Sequence, residues 1–279
     1  MNHRKTTPAL RAIAIAAVCA SLLAGCATTT SSTGRKQYVG GVSQEQLDLL
    51  GSQAFAQIKG QKSQSADARQ SAYVGCVVDA IVSQLPAPSQ GRAWEHALFI
   101  DSRPNAFALP GGKVGVNTGI FDVARNQDQL AAVIGHEVGH VLERHHDERI
   151  TRQMGASGAV QLLGMLAGAR YGDSGAQAAA QGGSLLAIGG FLLPGTRQQE
   201  SEADIVGQRL MAQAGFDPRQ AAALWRNMIA ATGRDGRASD WLSTHPDPAS
   251  RIGALEQRAE SLMPTFDQAR AAGRRPSCS

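Results

Sequence analysis

The stretch His136-Glu137-Val138-Gly139-His140 carries the residue types and the spacing for metal-assisted hydrolysis. On a helix the two histidines lie one turn apart on one face, about 6 Å from each other, which suits two imidazole nitrogens sharing one tetrahedral Zn²⁺. Glu137 lies about 100° round the helix from the first histidine, where it can act on an attacking water without being a ligand. This is the HExxH arrangement, two ligands plus a general base. A third protein ligand is required, with one position left open for reaction.

Two places in the chain compete to supply that ligand. His146 falls six residues after His140, where the HExxHxxGxxH pattern puts its third histidine. That pattern needs a glycine to break the helix, and Glu143, a helix former, stands there instead. If the helix continues, His146 is about 80° round from His136 and roughly 9 Å farther along the axis than His140, with His145 on the opposite face. Both then read as polar residues at a helix end. Downstream, Glu200-Ser201-Glu202-Ala203-Asp204 offers Glu200 and Asp204 four apart on one helix face. One can ligate the metal while the other accepts the free ring N–H of a ligand histidine. An acidic pair at this spacing is equally a wet helix surface. Glu202 points roughly 160° away from Glu200 and reads as solvated.

The elements that must position these residues follow from the pattern around them. Leu130, Ala131, Val133 and Ile134 before the motif, and Val138, Val141 and Leu142 in and after it, predict a largely buried helix, with Asn126 and Gln129 as a capping box. Ser43-Gln44-Glu45-Gln46 predicts a capped helix to about 58, and an apolar face from Ala72 to Val82 predicts a second over 66–85, ended by Pro86 and Pro88. Strand signals lie between Trp94 and Asn117, where Pro110-Gly111-Gly112 implies an edge position or a tight turn. The 105–117 stretch is either an edge that accepts a substrate polypeptide as an added strand or a plain hairpin supporting the motif helix. Residues 155–193 read as a Gly/Ala-rich helical hairpin with no apolar run of the ~18 residues that span a bilayer. Helices are expected again at 197–214, 218–231 and 248–261, and no repeat of about 34 residues is present.

The first residues read as targeting sequence. Arg4, Lys5 and Arg11 precede the short apolar run Ala12–Ala24, which ends in Leu23-Ala24-Gly25-Cys26. This ending resembles a bacterial lipobox with Cys26 as the lipidated residue; the alternative is an ordinary signal peptide with a nearby cysteine. The 27 basic and 23 acidic residues give +4, and removing three signal cations brings the mature chain to about +1. A nearly neutral chain gives no electrostatic case for nucleic acid. Beyond Cys19 and Cys26 only Cys76 and Cys278 remain, either a disulfide or unpaired, with Cys76 then a small apolar residue.

HEVGH, the downstream Glu200-to-Asp204 ExxAD, and Ala214-Gly215-Phe216-Asp217-Pro218 together resemble the HtpX and CAAX-prenyl-protease family of zinc metallopeptidases. The lipobox, Asn105-to-Gly112 (NAFALPGG), Ser243-Thr244-His245-Pro246 and Arg251-Ile252 resemble its periplasmic LoiP/BepA-type lipoprotein branch, without a repeat domain. The resemblance implies an α+β fold, a mainly helical gluzincin-like domain with a small sheet whose edge strand precedes the HExxH helix. It implies His136, His140 and Glu200 as ligands of one Zn²⁺, Asp204 as the partner of a ligand histidine, and Glu137 as general base. It also implies that His245 faces the metal as a catalytic group or resting-state ligand; the rival role is a loop histidine held by Pro246 and Pro248. Arg251 and Asn105 are candidate substrate or transition-state contacts.

The organisation expected is a signal over 1–25, a flexible lipid-anchored tether over 26–42, a metallopeptidase domain over 43–264 and a tail over 265–279. The expected activity is zinc endoproteolysis of misfolded or misassembled envelope proteins, at a bacterial outer membrane to which Cys26 anchors the chain, with an envelope assembly machine as partner. Two rivals stand beside it: a chaperone using the same groove, and a structural zinc lipoprotein.

Overall fold

The computed structural model describes residues 27–155, 195–235, 244–245 and 248–278. The signal segment, Cys26 and the expected hairpin at 155–193, apart from residue 155, lie outside the described residues. The described chain is mostly helical with small sheets, as the pattern predicts. Its helices are α1 (Gln44–Gln61), α2 (Ala68–Val82), α3 (Gln127–Leu142), α4 (residues 145–155), α5 (Arg197–Ala214), α6 (Gln220–Asp235) and α7 (Pro248–Ala271), besides a short turn at Ala87–Gln90. None is long and apolar enough to cross a membrane.

The expected caps form where short-range chemistry dictates them. The Ser43 hydroxyl accepts from the Gln46 amide and the Gln46 side chain returns to the Ser43 N–H. Asn126 caps α3 through the Gln129 amide, but the Gln129 side chain takes the Arg125 N–H instead. Strands β3 (Glu95–Phe99), β4 (Ala106–Leu109) and β5 (Lys113–Asn117) form a sheet of order β3-β5-β4, with β3 parallel and β4 antiparallel to β5. The strand leading toward the motif helix, β5, is therefore central. Among the described residues the two edge strands are β3, which meets the Gln64 segment at a single bridge to Phe99, and β4, so within 105–117 the expected edge contracts to β4.

Three differences from expectation concern the flanks. Residues 26–42 are not a loose tether from Ala27 on: Ala27–Thr30 (β1) and Lys36–Val39 (β2) pair as an antiparallel hairpin. Polar side chains at its tip meet buried partners on α4 and α5, contacts that no local pattern announces. At the other end α7 runs to Ala271 through Pro264, and Cys278 is disulfide-bonded to Cys76 on α2, so the tail is tied down rather than free. The motif helix also stops early. Arg144 sits in the left-handed region at φ 54°, a conformation costing about 1–2 kcal/mol. Its ion pair with Asp147 and the Gln37 amide on the Glu143 carbonyl hold the break.

Around α3 every residue from Gln129 to Val141 is buried, against α2, the sheet, α5 and α6. Its approach to α5 is backbone to backbone. A Cβ on Gly135 or Gly139 would lie 2.9 Å from the carbonyl oxygen of Gly207 or Ala203, and one on Gly207 would lie 2.7 Å from the His136 nitrogen. Glycines at these contacts bring the first turns of α5 against the two motif histidines.

Candidate metal centre

The approach of α3 and α5 brings three side chains together. His136 Nε2 and His140 Nε2 are 3.1 Å apart, and Glu200 lies 3.4 Å from the first and 3.5 Å from the second. One ligating atom from each of these residues and His245 fits within a 4.8 Å span, and all four residues are buried. Glu200 Oε1 is buried with no hydrogen-bond partner among the described residues. Two ring nitrogens turned on each other beside an unsatisfied carboxylate oxygen call for a cation between them, and two imidazoles with one carboxylate is a donor set that suits zinc. The residues fit the ion.

The electrostatics agree. Burial works to lower the His136 pKa, yet its hydrogen bonds to Asp204 and Glu200 prevail and raise it to about 9. His140 is pushed well below the ordinary value by burial and by His136 beside it. The pair thus stabilises one positive charge and resists a second. Burial opposes ionisation of Glu200, but His245, His136 and Arg251 keep its pKa low.

Each motif histidine is backed by a carboxylate, directly or through a second ring. Asp204 Oδ1 lies 3.1 Å from His136 Nδ1. Arg251 donates to both Asp204 oxygens at 2.7 Å and to Glu200 at 3.0 Å, with its guanidinium 4.0 Å over the Trp225 ring. Burial would raise the Asp204 pKa, but the Arg251 cation holds it well below the usual carboxylate range. Arg251, expected as a substrate contact, therefore packs behind the ligands. Its forked donors match a carboxylate, and carboxylates are what it meets.

On the His140 side, His145 Nδ1 lies 2.8 Å from His140 Nδ1 and His145 Nε2 lies 3.1 Å from Glu202 Oε2. His145 and His146 are buried, not polar ends of a continuing helix, because the break at Arg144 redirects the chain inward. Glu202 is 4% exposed rather than solvated, since the β1–β2 hairpin covers it. Sequence reasoning missed both roles. The available signal was the pair of adjacent histidines directly after the motif helix.

The cleft at the site is lined by Asn105, Ala106, Phe107 and Ala108 of the β4 segment and by Glu137, His140, Glu200 and His245. Asn105, a candidate substrate contact, lines this cleft. His245 Nε2 is 3.2 Å from Glu137 Oε1, and its Nδ1 is 3.0 Å from the Thr244 hydroxyl. His146 and Arg149 also line the cleft, a further feature the sequence did not disclose. Burial lowers the Arg149 pKa, against the pull of Glu200, Glu137 and Glu148.

Comparison with known proteins places this site in context. The model of peptidase family M48 matches residues 68–259. The mitochondrial metalloendopeptidase OMA1 of Schizosaccharomyces pombe is 43% identical over 164 residues, 59% of this chain and 46% of that protein. OMA1 of Saccharomyces cerevisiae is 34% identical, over 64% of this chain and 50% of its own length. The beta-barrel assembly-enhancing protease of Escherichia coli is 28% identical, over 78% and 45%. The chain spans about half the length of these relatives. They correct one expectation. A bacterial outer-membrane location rested on the lipobox-like ending at Cys26 and on the resemblance to a periplasmic lipoprotein branch, whereas the mitochondrial relatives match over 164 residues or more at higher identity than the bacterial one.

Proposed function

Because the chain belongs to peptidase family M48, we propose that it is a zinc-dependent endopeptidase that cleaves misfolded or misassembled polypeptides. One observation carries the reading: Glu137 lines the same cleft as His140, Glu200 and the β4 residues Ala106, Phe107 and Ala108, yet is not part of the donor cluster of His136, His140, Glu200 and His245. Held by His136, His140 and Glu200, a zinc ion would supply Lewis acidity, polarising the scissile carbonyl and lowering the pKa of water to about 7. The Glu137 carboxylate takes the proton of the attacking water and passes it to the leaving amine. His245, within reach of Glu137, stabilises the developing oxyanion when it swings toward the carbonyl, and covers the site at rest. The β4 edge, flanked by Asn105, offers main-chain hydrogen bonds to an extended substrate, recognition that asks little of its sequence. Unfolded segments meet that demand and folded domains do not. Attachment to a membrane through Cys26 belongs to the same proposal, and Cys26→Ser should release the protein; membrane retention of that variant would refute it.

The test of the activity is zinc content and casein cleavage by the purified chain, before and after chelation. One zinc per chain with chelator-sensitive cleavage is expected. Undiminished cleavage by the zinc-free protein would sink the reading.

A further inference from the structure

We propose that the β1–β2 hairpin is a clamp on the metal site: Arg35, Ser31 and Thr33 fix Glu202, Glu202 fixes His145, and His145 sets the ring of His140 with Nε2 toward the metal. The inference deepens the zinc reading and rests on it.

The argument is one of donors and acceptors. Glu202 accepts hydrogen bonds from the Ser31 and Thr33 hydroxyls and, at 2.5 Å, from Arg35 Nε. An ionised carboxylate only accepts, so His145 Nε2, 3.1 Å away, is the donor. The other nitrogen of a neutral imidazole is an acceptor, so His145 Nδ1 receives the proton of His140 Nδ1 across 2.8 Å. His140 Nε2 is then left with its lone pair, turned to Glu200 and His136. One acid on α5, held by the hairpin tip, thereby selects the tautomer of His140 through His145. Arg35 reaches further, since Nη1 and Nη2 grip the Glu148 carboxylate on α4 at 3.0 and 2.8 Å. One guanidinium therefore ties together α4, which carries His145, and α5, which carries Glu202 and Glu200. The Ser31, Thr33 and Arg35 contacts come from a segment more than 160 residues away in sequence from Glu202.

The test uses the full chain with zinc affinity measured by chelator competition, the cobalt-substituted absorption spectrum and the thermal midpoint of the metal-free protein. His145→Phe keeps a ring but removes both nitrogens, and should weaken zinc by roughly 10–100-fold with a shifted cobalt spectrum. Arg35→Met should give a smaller loss in the same direction, and Arg35→Lys should recover part of it. Tyr38→Ala, exposed on the same hairpin, should change neither quantity. A merely structural hairpin would lower the thermal midpoint and leave the affinity and spectrum of the folded protein at wild-type values. That result in Arg35→Met and His145→Phe overturns the clamp. Should His145→Phe not fold, Glu202→Gln takes its place beside Arg35→Met, with the same criterion. Wild-type chain that binds no zinc, or a Glu200→Gln variant that binds it undiminished, would instead overturn the metal reading beneath.

Discussion

His136 and His140 are held by different means. Behind His136 stands a carboxylate in direct contact, Asp204, itself locked by Arg251 over Trp225. Behind His140 stands a second ring, His145, and only then a carboxylate, Glu202, reached by Arg35 from the hairpin. Both arrangements end in an arginine and both draw their acid from α5. The difference is reach: the first is confined to α3, α5, α6 and α7, while the second brings in the start of the described chain. Orientation of a metal ligand does not require a carboxylate in contact with it, provided that each intervening group has a fixed donor and acceptor.

The largest effect should come from a residue on neither arm. Glu137→Gln keeps size and leaves both supporting arrangements intact, so zinc content should stay at the wild-type level. Turnover of casein should fall by about 10²–10⁴, the usual weight of general-base catalysis. A variant that lost its zinc would show Glu137 to be a ligand, and full turnover would end the general-base assignment.

The two arms were not equally legible in the sequence. Glu200 and Asp204 could be paired from their four-residue spacing, because helical geometry is local and α5 begins at a Thr196 cap that nothing distant disturbs. The Ser43 and Asn126 caps were legible for the same reason. His145 was not, because Glu143 favours a helix and the break after it is held by Gln37 from over 100 residues upstream. Glu202 was placed on the right side of its helix but assigned to water, since nothing in the Thr/Ser/Gly-rich segment over 27–41 announced a hairpin that would bury it. Arg251 suffered the converse error. The resemblance offered it as a candidate substrate or transition-state contact, whereas its fork faces Asp204 and Glu200.

The next effect sharpens the His136 arm. Arg251→Met leaves Asp204 buried without its counter-charge, and breaking such a pair from one side costs about 3–5 kcal/mol. Urea unfolding of the metal-free variant should show a loss of that size. A loss below about 1 kcal/mol would mean that Arg251 does not stabilise this arm as described.

A pH titration separates the arms without mutation. In the metal-free chain His136 is raised to about 9 and His140 is lowered. The charge on His136 stabilises the metal-free fold fully below its unfolded value near 6.5, and this contribution is lost as pH rises through about 9. Zinc requires the neutral ring, so at neutral pH one proton, and not two, must leave on binding. Chelator-corrected zinc affinity should therefore rise about tenfold per pH unit between 7 and 9 and level off above. A hundredfold rise per unit would show both histidines protonated and remove the asymmetry between the arms.

The smallest effect divides the hairpin itself. Its tip has a second attachment: the Ser32 N–H and hydroxyl donate to Glu143 at 2.9 and 2.5 Å, at the residue that ends α3. Glu143 touches neither His145 nor Glu202 in any hydrogen bond of the described residues, so this contact docks the hairpin without joining the path to His140. Ser32→Ala removes the hydroxyl bond and leaves the N–H bond in place. The expected cost is about 1 kcal/mol in unfolding free energy, the net worth of one typical hydrogen bond, here from an exposed serine. Zinc affinity and the cobalt spectrum should match wild type. A zinc loss as large as that of Arg35→Met would mean that any loosening of the hairpin disturbs His140, and the distinction between docking contact and orienting path would collapse.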